Sequence, residues 1–334
     1  MNNIDYPRLR HFTMLSNDDK ESLRIIVGKE HFDLKELAGD RATFLNMKRY
    51  FDGRHSIQEI SSETNILKED IESIVESFSD MGIIREDKSE SKSVILKEEF
   101  TSKVYDTCLM WQRQIGYHKL FNLLKSKSLR KEVLIGLLLE TYHYVKSAPI
   151  HTGNALIHCK NDQWKTILLN YLVDEYNHAD FYLDALVELG VSRDKVINAH
   201  PLIGTSSLIN MLNDIGAKST LGYLACTNLF EANKFDYENS KKVMHNIFEL
   251  YELPIEAIKG PLTHLEMDIE MDHNSLLNEA LEGITHMDKE EVNYAVNCVH
   301  DLKHAFDQFH DQIIEYYSDI SNYIPRLKVD YFSL

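Results

Sequence analysis

Long apolar runs are missing from this sequence. The nearest approach, Val133–Leu139, is seven residues and stops at Glu140, whereas a membrane-crossing helix needs about 20. Helix breakers are scarce too, with 6 prolines and 13 glycines in 334 residues, a composition that excludes collagen-like and low-complexity chains and favours helices. The four cysteines, Cys108, Cys159, Cys226 and Cys298, are far apart and form no C-x-x-C pair. That spacing leaves no disulfide framework, and each thiol reads as a small buried apolar group in a reducing compartment. Basic residues are outnumbered, 36 against 53 acidic, for a formal charge of −17. Such a surface repels nucleic acid and anionic membranes. The polar N-terminus has no apolar signal segment. The expectation is a soluble, cytoplasmic protein that binds neither nucleic acid nor membrane.

What is present divides near residue 90. Residues 85–99, REDKSESKSVILKEE, are almost continuously charged or small, the composition of a solvated linker. The expected organisation is a domain over 1–90, a linker over 91–101 and a helical domain over 102–334. In the first part, 42–51 has apolar residues at helical spacing and stops at Asp52-Gly53, a turn signal. Ser56 and Glu59 form an S-x-x-E capping box for a short helix. A further helix over about 68–81 ends at Gly82, and Ile83-Ile84 opens a strand. This order is that of a small winged-helix-like α+β module. The candidate recognition helix is rich in acidic and hydroxyl residues and carries a single lysine, which argues against DNA.

Beyond the linker the sequence predicts an all-α domain with helices at about 102–125, 129–148, 162–189, 202–236, 240–250, 254–283 and 288–318. Three of them carry ionisable groups in apolar surroundings. VLIGLLLETYHYV places Glu140 and His143 three residues apart, on one helix face. A carboxylate in such a stretch costs several kcal/mol, about 2–7 for a polar group, unless it is paired or bound to metal. ILLNYLVDEYNHADFYLDALVELG repeats the E-x-x-H spacing with Glu175 and His178. Paired E-x-x-H helices with added carboxylates are how helical bundles hold two iron or manganese ions. The third helix, PLTHLEMDIEMDHNSLL, offers two faces: His264, Asp268 and Asp272 on one, Glu266, Glu270 and His273 on the other. Helical geometry does not choose between them.

Other ionisable groups have bland readings. His300, His304, Asp307 and His310 fit an amphipathic surface helix, and His151, His158 and Cys159 fall in a loop-like stretch. Glu231, within an apolar helix, either lines a substrate pocket or is a satisfied buried carboxylate. Tyr142, Tyr144 and Tyr176 read as core packing.

The order E-x-x-H, E-x-x-H, H-x3-D over ETYHYVKSAP, DEYNHADFYLDALVELG and HLEMDIEMDH resembles the heme-oxygenase-like diiron oxidases, which share a seven-helix fold with thiaminase-II-like proteins and pyrroloquinoline-quinone synthase. The resemblance spans about 105–315. It implies Glu140, His143, Glu175, His264 and Asp268 as metal ligands, with His178 a further ligand or a neighbour of one, and Glu140 and Glu175 as the catalytic carboxylates. It further implies two Fe(II) ions per chain, O2 as co-substrate and an electron donor of unidentified kind. Met271 stands where the family commonly has a third-helix histidine, so Asp272 or His273 would complete the site, or the second iron is held weakly. The implied activity is N-oxygenation, desaturation or oxidative C–C cleavage of an amino-acid-derived substrate. Alternatives are a cofactor-free enzyme of the same fold and a non-enzymatic peptide-binding protein. The N-terminal part resembles precursor-recognition domains that capture a leader peptide at a sheet edge, so a peptide- or carrier-tethered substrate and a homodimeric assembly both fit the reading.

Overall fold

In a computed structural model the chain is described at residues 4–10, 12–16, 23–27, 30–34, 41–84, 93–231, 237–271 and 275–328. It divides into two compact units, Met1–Ser91 and Lys92–Leu334.

The first unit opens with an antiparallel meander, β1 (Thr13–Ser16), β2 (Leu23–Val27) and β3 (Glu30–Leu34), in that spatial order. Three helices follow: α1 (Arg41–Lys48), α2 (Ile57–Thr64) and α3 (Lys68–Asp80). The capping box forms as the sequence predicts, with Glu59 N donating to Ser56 Oγ at 3.3 Å and Ser56 N to Glu59 Oε2 at 2.7 Å. Gly53, at φ +79°, takes the left-handed conformation that the DG turn requires. Ile84 forms a single bridge with Leu9 rather than a strand. Phe44, Met47, Ile60, Ile71, Phe78 and Ile25 join helices and sheet in one core. The meander was not expected, because its strands are short and only LRIIV is rich in β-branched residues.

The second unit is helical, with one two-stranded ribbon. β4 (Val94–Leu96) pairs antiparallel with β5 (His286–Asp288), and α4 (Lys97–Gly116) begins at once. The predicted linker over 91–101 is therefore corrected: its apolar VIL is strand and its last residues are helix. Next come α5 (Lys119–Lys125), α6 (Lys131–Lys146), α7 (Ala148–His158), α8 (Asp162–Glu175) and α9 (Ala179–Glu188). The chain continues through α10 (Arg193–Ile197), α11 (Ile203–Lys218), α12 (Thr220–Phe230), α13 (Tyr237–Leu250), α14 (Lys259–Glu270), α15 (Leu276–Ala280) and α16 (Lys289–Ser318). Among the described residues no helix is long and apolar enough to cross a membrane.

The predicted long helices are broken where a local group caps a new turn. Ser219 leaves helical geometry at φ −150° and its Oγ accepts from Gly222 N at 2.9 Å, so the 202–236 run becomes α11 and α12. Pro149 ends nothing. It lies in the first turn of α7, where a missing N–H costs no hydrogen bond, so in the stretch read as a loop His151 and His158 are helical and Cys159 is the extended residue that follows.

Buried histidines make the helical unit acid-sensitive. His310 sits among Phe121, Phe306 and Phe309, and burial pushes it down to about 3, while burial brings His151 to about 3 and His143 to about 4. Unfolded, each titrates near 6.5. Stability held by these neutral rings is complete above that value and is lost as pH falls towards the folded values. Thermal melts followed by far-UV circular dichroism should show Tm falling steadily below pH 6.5. His310→Phe should remove about one proton, or about 1.4 kcal/mol per pH unit, from that slope. An unchanged slope would show that His310 is accessible to protons in the folded chain.

Candidate metal centre

The ends of three helices and one turn converge in the helical unit. α8 finishes at Glu175 with tight i→i+3 bonds, Tyr176 N to Val173 O at 3.4 Å and His178 N to Glu175 O at 3.3 Å. Residues three apart eclipse in such a turn, so His178 swings beside Glu175, its Nδ1 3.1 Å from Glu175 Oε1 and 3.7 Å from Asp268 Oδ1. α14 reaches this point because Gly260 lets its backbone touch α9: a Cβ there would lie 2.1 Å from Phe181 O. One and two turns on, His264 and Asp268 come into line, with His264 Nδ1 3.3 Å from Asp268 Oδ2 and its ring 4.9 Å from that of His178.

The fifth residue is Glu231, directly after α12. Gln112 of α4 donates to the carbonyls of Asn228, Leu229 and Glu231 at 3.1–3.2 Å, satisfying groups that a helix end leaves open. Tyr171, one turn before Glu175 on α8, donates its hydroxyl to Glu231 Oε1. Burial first, and then Glu231 and Glu175, hold the Tyr171 phenol well above its ordinary range, so it stays a proton donor. Burial and the same carboxylates do likewise for Tyr144.

Two sets of ligand atoms, each mutually within 4.8 Å, result: Glu175, His178 and His264, and Glu175, Glu231 and Asp268. Glu175 belongs to both. The carboxylates are 3–5% exposed and His178 2%. Three buried carboxylates so close together cannot all stay ionised without protons or cations among them. Carboxylates and imidazoles without thiolate suit iron or manganese. The donor set therefore fits the ions that the sequence motif implied.

Burial separates the described residues of the third helix's two faces. Asp268 and His264 face inward, whereas Glu266 and Glu270 are exposed. Asp272 and His273, the expected completing residues, lie outside the described residues.

The first motif is corrected. Glu140, expected as a ligand, is 1% exposed and accepts hydrogen bonds from Leu202 N at 3.0 Å, Thr205 Oγ1 at 2.5 Å and Tyr317 OH at 2.6 Å. Burial pushes its carboxyl up, while the three hydrogen bonds and Arg326 pull against that rise. Gly136 permits this clasp, since a Cβ there would overlap the Tyr317 ring. Glu140 ties α6 to α11 and α16 and is absent from both ligand sets. His143 is absent as well, its neighbouring charges being Lys146 and His200. Nor do the last-helix histidines join: His300 and His304 pair at 3.2 Å between Nε2 atoms, and His310 is core. Of the flanking tyrosines, Tyr142 and Tyr144 pack inside, and Tyr176 is exposed.

Glu231 also forms the floor of a cavity of about 330 Å³ among the described residues. Leu265 and Ile269 of α14 wall it, and Arg113, Tyr117 and Lys125 stand at the mouth.

A solved structure shares this architecture. A domain of unknown function with a heme oxygenase-like fold from Shewanella denitrificans OS217 superposes with a TM-score of 0.54 at 19% identity, over 69% of this chain and 98% of that one. The helical unit has the heme-oxygenase-like fold. Residues 106–227 match the family described as TENA/THI-4/PQQC. A TenA homologue from Pseudomonas syringae pv. tomato is similar at 12% identity over 65% of this chain and 93% of that, with a TM-score of 0.49. One from Pyrococcus furiosus is 16% identical over 64% and 99%, with a TM-score of 0.45. Residues 30–83 match the C-terminal helix-turn-helix of the GATOR1 complex protein NPRL3. No curated protein matches the chain.

Proposed function

We propose that the helical unit is an O2-dependent non-heme diiron oxidase or oxygenase acting on an amino-acid-derived substrate. The observation that carries the proposal is the convergence of three buried carboxylates and two imidazoles, with Glu175 common to both ligand sets. Glu175, which belongs to both ligand sets, would help to hold two Fe(II) ions. His178, His264, Glu231 and Asp268 would supply the remaining protein ligands. Bound there, the irons would supply redox chemistry toward O2, with the remaining electrons coming from the substrate or an external reductant, for N-oxygenation, desaturation or C–C cleavage.

The chain's part is placement and exclusion of water. Tyr171 fixes one oxygen of Glu231 and keeps its proton. The buried rings of Tyr144 and Tyr182 keep bulk water from the carboxylates, whose attraction for cations is stronger in dry surroundings. Glu231 lines the cavity, so a substrate bound there would lie against a residue of the proposed centre.

A second reading rests on the Tyr171–Glu231 hydrogen bond, a phenol and carboxylate that can move a proton on an organic substrate without metal, as a thiaminase-II-like enzyme would. Anaerobic Fe(II) titration with oxygen-uptake measurement separates the two. The diiron reading expects about two irons per chain and O2 consumption by the loaded protein. Uptake of well under one iron would sink it and favour the second.

A further inference from the structure

The mouth of the cavity differs in chemistry from its floor. Arg113 of α4 and Lys125 of α5 are exposed there, while Glu231 is buried below. Among the described residues neither cation is ion-paired. Both line the cavity together with Leu265 and Ile269. In a chain with 53 acidic and 36 basic residues, two cations lining one cavity offer an anion a place to bind.

We propose that Arg113 and Lys125 hold the acidic group of the substrate, an organic anion whose other end rests against Glu231. The guanidinium offers a planar fork that matches an oxyanion bidentately, and the ammonium adds a compact second charge. Between them and Glu231, Leu265 and Ile269 suit an apolar stem. A volume of about 330 Å³ is within the range of small-molecule sites. In the metal-free protein Glu175, Glu231 and Asp268 repel an anion from the floor, so the acidic end settles at the rim. The identity of the reacting end rests on the function proposed above; the grip on the acid does not.

Calorimetric titration of the metal-free, full-length chain with octanoate, octyl phosphate and octanamide tests this. One of the two anions should bind at least about tenfold more tightly than the neutral amide. Whichever anion binds more tightly identifies the acid as carboxylate or phosphate. The double variant Arg113→Gln, Lys125→Gln should lose that preference yet bind octanamide and Fe(II) like the parent chain. Equal binding of all three probes, no binding of either anion, or a preference that survives in the double variant would overturn the proposal. If Fe(II) uptake fails while the preference holds, the diiron reading falls and this one stands. The opposite pattern leaves the diiron reading and removes this one.

Discussion

Glu175→Gln is expected to abolish iron binding and, in the metal-free protein, to raise Tm. Both effects follow from one fact: Glu175 is shared by the two ligand sets. A glutamine keeps the shape and one carbonyl oxygen, but it has no negative charge and cannot span two cations as a carboxylate does. Even residues that merely support metal ligands cost about 10–100-fold in affinity when removed, so losing the shared ligand should cost more than about 100-fold. Without metal the sign reverses. An ionised carboxylate pair at the separations found here repels by on the order of 3 kcal/mol, and the chain avoids this only by taking up protons. Relief of even 1 kcal/mol would raise Tm by about 2–4 °C for a unit of this size. Paired melts with and without Fe(II) under argon check both halves. An ordinary damaged core would lower Tm in both states, and a variant that still gained stability from iron would remove Glu175 from the centre.

Glu140→Ala is expected to do the opposite, leaving iron stoichiometry intact while costing about 3–5 kcal/mol of stability. The carboxylate accepts from Leu202 N, Thr205 Oγ1 and Tyr317 OH. Truncation would leave all three donors buried beside a void, and unsatisfied donors cost about 1–3 kcal/mol each before relaxation. The loss should appear as a lowered denaturation midpoint with unchanged m-value. Glu140→Gln should recover part of it, since an amide oxygen can accept some of the same bonds. If iron uptake falls in parallel with Glu175→Gln, Glu140 belongs to the centre after all.

Helices were legible because apolar spacing and caps act over a few residues. The Ser56–Glu59 box, the Gly82 stop and the E-x-x-H of α8 are all local. In the α8 motif a tight turn brings Glu175 and His178 together whatever surrounds them. The α6 motif looked identical and misled. Burial demands that Glu140 be paired, but spacing along one helix does not say with what, and its partners are 62, 65 and 177 residues away. Glu231 was visible as a carboxylate within an apolar helix, yet its place depends on where α12 ends, beside the contact that Gln112 makes from 119 residues away. The sheet of the first unit was missed for a related reason: strand pairing is non-local, and its segments are 4 and 5 residues long.

Where iron binds decides between the two carboxylate sites, and anomalous diffraction at the iron edge measures that directly. Crystals of the full chain, soaked in Fe(II) without oxygen, should show two anomalous peaks flanking Glu175, in contact with His178, His264, Glu231 and Asp268. Peaks beside Glu140 and His143, or no peak near Glu175 in crystals that have taken up iron, would contradict it.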